Sequence, residues 1–274
     1  MPTATVRDGP IHYEMEGAAG DPLVLVHGTW VDHTTWGAVV PLLSPSFRLL
    51  TYDLRGHGRS RRGFGPHPVE DHVRDLEALL VATDHFPAHV VGNSLGGTVA
   101  VRLAAERPDL FRSLVVHDPP MLGLLDSGPT ADLTAVTEAM DGIAEVAGSG
   151  DLRGAAQRFV DLVGRGASPW SRLPPALQEM YVANAACWLE EYEDSRSASV
   201  DLDRIAEFDP PAFLTTGETS PLFFDLILER LRSRLPNARK VVLPGAGHVP
   251  HLTHPGLFVG VLAGFLLERT VPPH

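Results

Sequence analysis

Three features of the chain predict an α/β fold, with a mostly parallel central sheet, helices on both of its faces and an inserted helical segment. Strand-like apolar runs alternate with helical segments along both ends of the chain. "PLVLVHG" (22–28) is a compact apolar run closed by glycine, as suits a central strand buried on both faces. The alternation then breaks between residues 121 and 208, where only helical patterns occur.

Taken in order, "TATVRDGPIHYEME" reads as two short strands joined at Asp8, Gly9 and Pro10, a hairpin signal. "TTWGAVVPLL" (34–43) fits a helix weakened by Gly37 and Pro41, and "FRLLTYDLRGHGRS" gives a strand followed by a Gly/Arg loop. In "VEDHVRDLEALLVAT" the apolar residues Val69, Val73, Leu76, Leu79 and Leu80 form one helical stripe. "AHVVGNSLGGTVAVRLAAERP" is a strand, an abrupt turn and a helix, and "LFRSLVVHDPP" is a further strand closed by two prolines. After residue 208 the rhythm resumes as strand "PAFLTT", helix "PLFFDLILERLRSRLP", strand "ARKVVLP" and helix "HPGLFVGVLAGFLLER".

Between these parts, "ADLTAVTEAMDGIAEVA", "DLRGAAQRFVDLVGRG", "PPALQEMYVANAACWLEEYEDS" and "DLDRIAEF" read as helices. At roughly 85 residues this insertion far exceeds the usual connection of about 4–6, and a lid fits it better than a separate domain. The expected division is therefore a core of residues 1–120 and 209–274 with a helical cap over 121–208.

The 274 residues suffice for a large core, and a 44% hydrophobic fraction is that of an ordinary globular protein. The net charge of −12 disfavours a phosphate backbone as partner, so no nucleic acid is expected. A single cysteine, Cys187, excludes an intrachain disulfide and a cysteine-rich zinc cluster. The opening "MPTATVRDGP" lacks a signal-peptide pattern, and no apolar run reaches the roughly 20 residues needed to span a bilayer. The expectation is a soluble cytoplasmic protein, monomer or homodimer, acting on a small molecule without membrane contact.

The chemistry centres on "VVGNSLGG", where Gly92, Ser94 and Gly96 form G-x-S-x-G between a strand and a helix. Such a turn is strained, so its neighbours must lack side chains, and it raises the serine hydroxyl over the sheet edge. The new helix aims its first N–H groups at developing negative charge, with the Leu95 N–H as one oxyanion donor. The plain alternative is a serine capping a helix. His248, in "PGAGHVPHLTHP", is of the natural type for a general base, and Gly245 and Gly247 allow its loop to reach across the sheet edge. His251 and His254 compete for that role; the three together match no standard metal-ligand pattern, and no metal is expected.

In this order, "LVLVHGTW", "YDLRGHGRS", "VGNSLGG" and "LPGAGHVPHLTHP" closely resemble motifs of the α/β-hydrolase fold family over nearly the whole chain. The resemblance implies Ser94 as nucleophile, His248 as base, the Thr29 N–H as second oxyanion donor, and a cap seated over the site. It implies a bracing role for His27. The acid poses a question. In the commoner family arrangement it lies three positions beyond a glycine after strand 7, and here the matching position is Ser220. Glu218 is close in sequence but not in place. Asp118, which ends the strand after the elbow helix and precedes Pro119 and Pro120, matches the alternative position after strand 6. Zearalenone-type lactonases and haloalkane dehalogenases resemble it there, the former also using serine. The plain reading is that Asp118 only terminates a strand.

These residues imply acyl transfer to water, hence a carboxylic ester or lactone hydrolase that needs no cofactor. Serine at position 94 argues against the dehalogenase and epoxide-hydrolase branches. C–C hydrolases of meta-cleavage products, cofactor-free perhydrolases and a non-catalytic receptor on the same fold are the rivals. Trp30, Met121, Leu122, Trp170, Met180, Tyr181, Asn184 and Trp188 are candidates for the pocket wall, and packing within the cap fits them equally. If several face the pocket, an apolar or aromatic substrate is favoured.

Overall fold

The computed structural model describes residues 3–6, 9–60, 68–125, 131–163, 170–196 and 199–267. Its strands are β1 (Thr3–Val6), β2 (Gly9–Glu16), β3 (Asp21–Val26), β4 (Phe47–Tyr52), β5 (Ala88–Asn93), β6 (Phe111–His117), β7 (Ala212–Gly217) and β8 (Ala238–Leu243). They form one eight-stranded sheet in the order β1-β2-β4-β3-β5-β6-β7-β8. β1 and β2 pair antiparallel, as do β2 and β4, and every pairing from β4 to β8 is parallel. The first hairpin has the expected pairing, with Val6 opposite Gly9. Arg7 and Asp8, and with them part of the expected turn, lie outside the described residues.

Side chains on a strand point alternately to its two faces, and here each face meets its own layer of helices. Leu23 and Leu25 fall in one apolar cluster with Trp36, Leu43 of α1 (Val40–Leu43) and Phe258 and Leu262 of α10 (Pro255–Leu267). Val24 and Val26 fall in another with Val73 and Leu76 of α2 (Val69–Ala82), Val99 of α3 (Leu95–Glu106) and Leu228 of α8 (Leu222–Arg232). That two-sided burial is why β3 reads as a continuous apolar run instead of an alternating one. The stripe Val69, Val73, Leu76, Leu79 and Leu80 is wholly buried on α2.

Residues 34–43 are not one helix. A 3₁₀ turn spans His33–Trp36, with the Asp32 side chain accepting from the Thr34 N–H, and Gly37 ends it. The chain turns helical again as α1, with Pro41 in its first turn. A proline is tolerated there because that N–H has no helical partner to lose.

Between β6 and β7 the described residues contain helices and no strand: α4 (Ala131–Gly148), α5 (Leu152–Val163), α6 (Pro175–Arg196) and α7 (Leu202–Ile205). The end of the second expected helix, 164–166, lies outside the described residues, as does that of the last, 268–269. α4, α5 and α6 share a third apolar cluster built on Ile143, Phe159, Val160, Tyr181 and Trp188. Trp30 and Val31, from the loop after β3, complete it, so the inserted helices are fused to the core at that loop. Among the described residues no helix is long and apolar enough to cross a membrane.

α3 starts in close contact with β3. A Cβ on Gly96 would lie 2.3 Å from the Val26 carbonyl oxygen and 2.5 Å from that of His27, both backbone atoms that no rotamer change can relieve. Gly96→Ala is therefore expected to destabilise the fold by about 1–3 kcal/mol, the range of an overpacked interior. Urea unfolding of the variant and the parent checks this; equal midpoints would contradict the tight approach.

Candidate active site

Ser94 occupies the turn between β5 and α3 with φ 54 and ψ −125, a conformation rare for any residue with a side chain. Two glycines permit it: besides Gly96, a Cβ on Gly92 would lie 2.3 Å from the Gly96 oxygen. The turn is tied to the neighbouring strand, because the Ser94 N–H donates to the His117 carbonyl at 2.9 Å. Ser94, His248, Thr29 and Leu95 line a single cavity of about 950 Å³, including solvent space at its opening.

Asp118 follows β6 and is fully buried, with φ 47. Its Oδ2 lies 3.3 Å from His248 Nδ1, which leaves Nε2 on the opposite side of the ring. The same oxygen accepts from the Ser220 hydroxyl at 2.6 Å and lies 3.3 Å from His117 Nε2. Burial favours the protonated carboxyl, but the His117 and His248 contacts outweigh it and hold Asp118 well below the ordinary carboxylate range. Oδ1 is buried with no hydrogen-bond partner among the described residues.

Glu218, the other candidate acid, does not reach the ring. Its Oε2 accepts from the Gly245 N–H at 2.8 Å and so braces the loop that carries His248. That loop is held at further points: Asn93 Nδ2 donates to the His248 carbonyl at 2.9 Å, and His117 Nε2 lies 3.1 Å from the Gly247 oxygen. The Phe224 ring stacks on the imidazole of His248, with centroids 4.8 Å apart and planes at 16°.

His27 is a structural residue, as the sequence suggests. Nδ1 lies 2.6 Å from the Gly28 oxygen, and Nε2 accepts from the Leu54 N–H at 2.9 Å. That pattern requires a neutral ring, and complete burial together with nearby His57 pushes its pKa down to about 4. His251 packs against Trp36 at 4.3 Å and is likewise driven by burial to about 3, so it belongs to the core.

Of the eight candidate wall residues, Leu122 and Trp188 line the cavity. The other six do not. Trp30 is fully buried against Phe159 and Trp188, each at 4.6 Å. Met121 lies in the core cluster beneath the sheet. Trp170, Met180 and Tyr181 pack within the inserted helices, and Asn184 turns its Nδ2 to the Trp30 carbonyl at 3.0 Å. Helical spacing marks a buried stripe without saying whether it meets a cavity or another helix.

Several functional positions escaped sequence reasoning. Phe159 and Met140 come from the inserted helices, Phe223 and Phe224 from the start of α8, and Glu191 and Tyr192 from the end of α6. Glu191 is fully buried, accepts from the Thr29 hydroxyl at 2.7 Å, and lies 3.0 Å from His72 Nε2. His57 and Cys187 complete this cluster, with His57 Nδ1 3.7 Å and Cys187 Sγ 3.6 Å from Glu191 Oε1. A cysteine and an acid at i and i+4 on one helix were the only sequence trace of it.

Residues 21–255 match the alpha/beta hydrolase fold family. A pimeloyl-[acyl-carrier protein] methyl ester esterase of Pectobacterium atrosepticum is 27% identical over 265 residues, covering 93% of this chain and 98% of the relative. Among solved structures, the enol-lactonase of Burkholderia xenovorans superposes with a TM-score of 0.80 at 22% identity, covering 97% of this chain and all of the other. A thermophilic esterase of Thermogutta terrifontis gives 0.78 at 21% identity, covering 98% and 99%. The two structures are alike in fold.

The buried histidines predict how stability varies with pH. Burial lowers His27 and His89 to about 4 and His251 to about 3, whereas in the unfolded chain each titrates near 6.5. Below pH 6.5 the unfolded state therefore binds protons that the fold excludes, and stability falls as the pH drops from 6.5 towards 4. His33 has the opposite sign: burial opposes protonation, but contact with Asp53 raises its pKa overall, and it stands alone against five, since burial lowers His57 and His85 as well. The unfolding free energy from urea titration at pH 5 should lie below that at pH 7 by on the order of a few kcal/mol, with a lower midpoint. A midpoint unchanged or higher at pH 5 would contradict these assignments.

Proposed function

Because the chain belongs to the alpha/beta hydrolase fold family, we propose that it is a serine hydrolase that cleaves a carboxylic ester or lactone of a small apolar or aromatic molecule. The observation that carries this reading is the contact of Asp118 Oδ2 with His248 Nδ1 at 3.3 Å, on an imidazole that shares one cavity with Ser94. Esterases and lactonases among the similar proteins agree with it.

In the proposed reaction, the Nδ1–H of His248 donates to Asp118, which fixes the tautomer that leaves Nε2 unprotonated. Nε2 takes the proton of Ser94 as its hydroxyl oxygen bonds to the substrate carbonyl carbon. Asp118 stabilises the imidazolium so formed and keeps its own charge. The tetrahedral oxyanion is met by the backbone N–H groups of Thr29 and Leu95, which need no reorientation. His248 then returns the proton to the departing alcohol oxygen, leaving an acyl group on Ser94. Water, activated by the same Nε2, attacks this acyl carbon and frees the acid. A lactone differs only in that its alcohol remains tethered to the acyl group.

Ser220 supports the acid in this scheme. It stands where the commoner arrangement has its carboxylate, and its hydroxyl donates to Asp118 instead. The inserted segment acts as the cap, since its Leu122, Met140, Phe159 and Trp188 line the cavity together with Phe223 and Phe224 of the core. Such walls favour apolar or aromatic groups by removing their surface from water.

A hydrolysis screen over acyl esters and aromatic lactones tests the reading. Ser94→Ala and Asp118→Asn are each expected to lower kcat by at least about 1,000-fold, as loss of a triad member does. Ser220→Ala should lower it by about 10-fold, the scale of one hydrogen bond to a charged group. Glu218→Gln should stay within a few-fold of the parent. A full-rate Asp118→Asn enzyme, or one crippled by Glu218→Gln, would overturn the choice of acid.

A further inference from the structure

One ionised side chain in the cavity wall takes no part in the proposed reaction. Glu191, near the end of α6, lines the cavity together with Ser94 and Thr29. Its carboxylate is 1% exposed, and each oxygen is engaged, Oε2 by the Thr29 hydroxyl at 2.7 Å and Oε1 by His72 at 3.0 Å. Burial favours protonation, but His57, His72 and the Thr29 hydroxyl outweigh it and hold the pKa at about 2, so the group is an anion at neutral pH. Neither His57 nor His72 is among the cavity-lining residues, so of this cluster Glu191 is the member that borders the cavity. No lysine or arginine lines the cavity among the described residues.

Resting on the hydrolase reading, we propose that Glu191 is a specificity-determining residue that confines this cavity to substrates with an uncharged acyl group and rejects acyl groups bearing a free carboxylate. A substrate carboxylate entering here loses its water to apolar walls, finds no cationic partner, and faces a fixed like charge. At separations of about 4–6 Å, like charges at the edge of a protein interior repel strongly enough to change binding by more than about 100-fold. A cationic acyl group gains little in exchange, because both Glu191 oxygens already accept hydrogen bonds and the rest of the wall cannot solvate an ammonium. The oxyanion that forms beside Thr29 is common to all esters, so its own repulsion by Glu191 cancels when two substrates are compared as a ratio.

The test compares para-nitrophenyl hexanoate with the para-nitrophenyl monoester of adipic acid, which matches it in carbon count but carries a terminal carboxylate at pH 7. The parent is expected to favour the hexanoate by at least about 100-fold in kcat/KM, and Glu191→Gln to narrow that ratio by about 10-fold. Binding of both esters to Ser94→Ala, followed by calorimetry, reads the same preference as a Kd ratio without turnover. A parent that hydrolyses or binds both esters alike, or one that prefers an ammonium-bearing hexanoate analogue, would overturn the assignment. So would an unchanged ratio in a folded Glu191→Gln protein. Elemental analysis of the purified parent adds one more arm: a stoichiometric divalent ion would neutralise Glu191 through His57 and Cys187 and equally overturn it. A clear Kd preference in Ser94→Ala with no ester cleaved by the parent would support the charge filter and sink the hydrolase reading alone.

Discussion

Helix α3 can begin where it does only because residue 96 has no side chain. Its first turn rests on the carbonyl oxygens of Val26 and His27, closer than a methyl group would allow. That approach sets the height of the helix end above the sheet, and the chain can join β5 to it only through a turn with φ 54 at Ser94. The strain is held by burial on all sides, since Val99, Ala100 and Leu103 of α3 lie in the same core as Val24 and Val26. The loop after β3 is brought to the same spot by the same strand. The strained turn at Ser94 and the cavity-lining loop after β3 are thus held together at one close contact between backbone segments.

Asp118 shows how the ends of two neighbouring strands can converge on one carboxylate. β6 and β7 are hydrogen-bonded neighbours, with His117 paired to Thr215, so residues just beyond their ends lie side by side. The Asp118 carboxylate, leaving β6 with φ 47, thereby reaches the His248 imidazole, and Ser220, just beyond β7, donates to it. Burying an anion this completely is costly unless donors surround it. Here two imidazoles and one hydroxyl converge on a single oxygen.

Much of this was legible in the sequence, for definite physical reasons. Two-sided burial wrote β3 as an unbroken apolar run, the single stripe of α2 wrote its packing face, and the steric needs of the turn wrote Gly92 and Gly96 around Ser94. The approach of Asp118 to His248 was legible because residues beyond neighbouring parallel strands emerge at the same sheet edge and because the family resemblance pointed to the position after strand 6. The cavity wall was not. Met180 and Tyr181 are large apolar or aromatic residues on the same helix as Trp188, yet only the last meets the cavity; the difference lies in how three helices rotate against one another. Glu191 was hidden for another reason. An acid in a helix reads as solvated surface, and its partners Thr29 and His72 lie 162 and 119 residues away.

That long-range pairing gives α6 a part in the site beyond covering it. The helix grips the loop after β3 at two adjacent residues, with Asn184 on the Trp30 carbonyl and Glu191 on the Thr29 hydroxyl. Trp30 has φ 69, unusual for so bulky a residue, and the Asn184 contact helps to hold it there. Withdrawing α6 from the core would break the contacts of Glu191 with Thr29 and His72 together with the packing of Trp188 and Tyr192. α6 therefore helps to hold the loop that carries Thr29, so the groups proposed to stabilise the oxyanion are fixed jointly by the sheet and by a helix inserted between β6 and β7. Changes in α6 that touch neither Ser94 nor His248 can reach the reacting carbonyl through that loop.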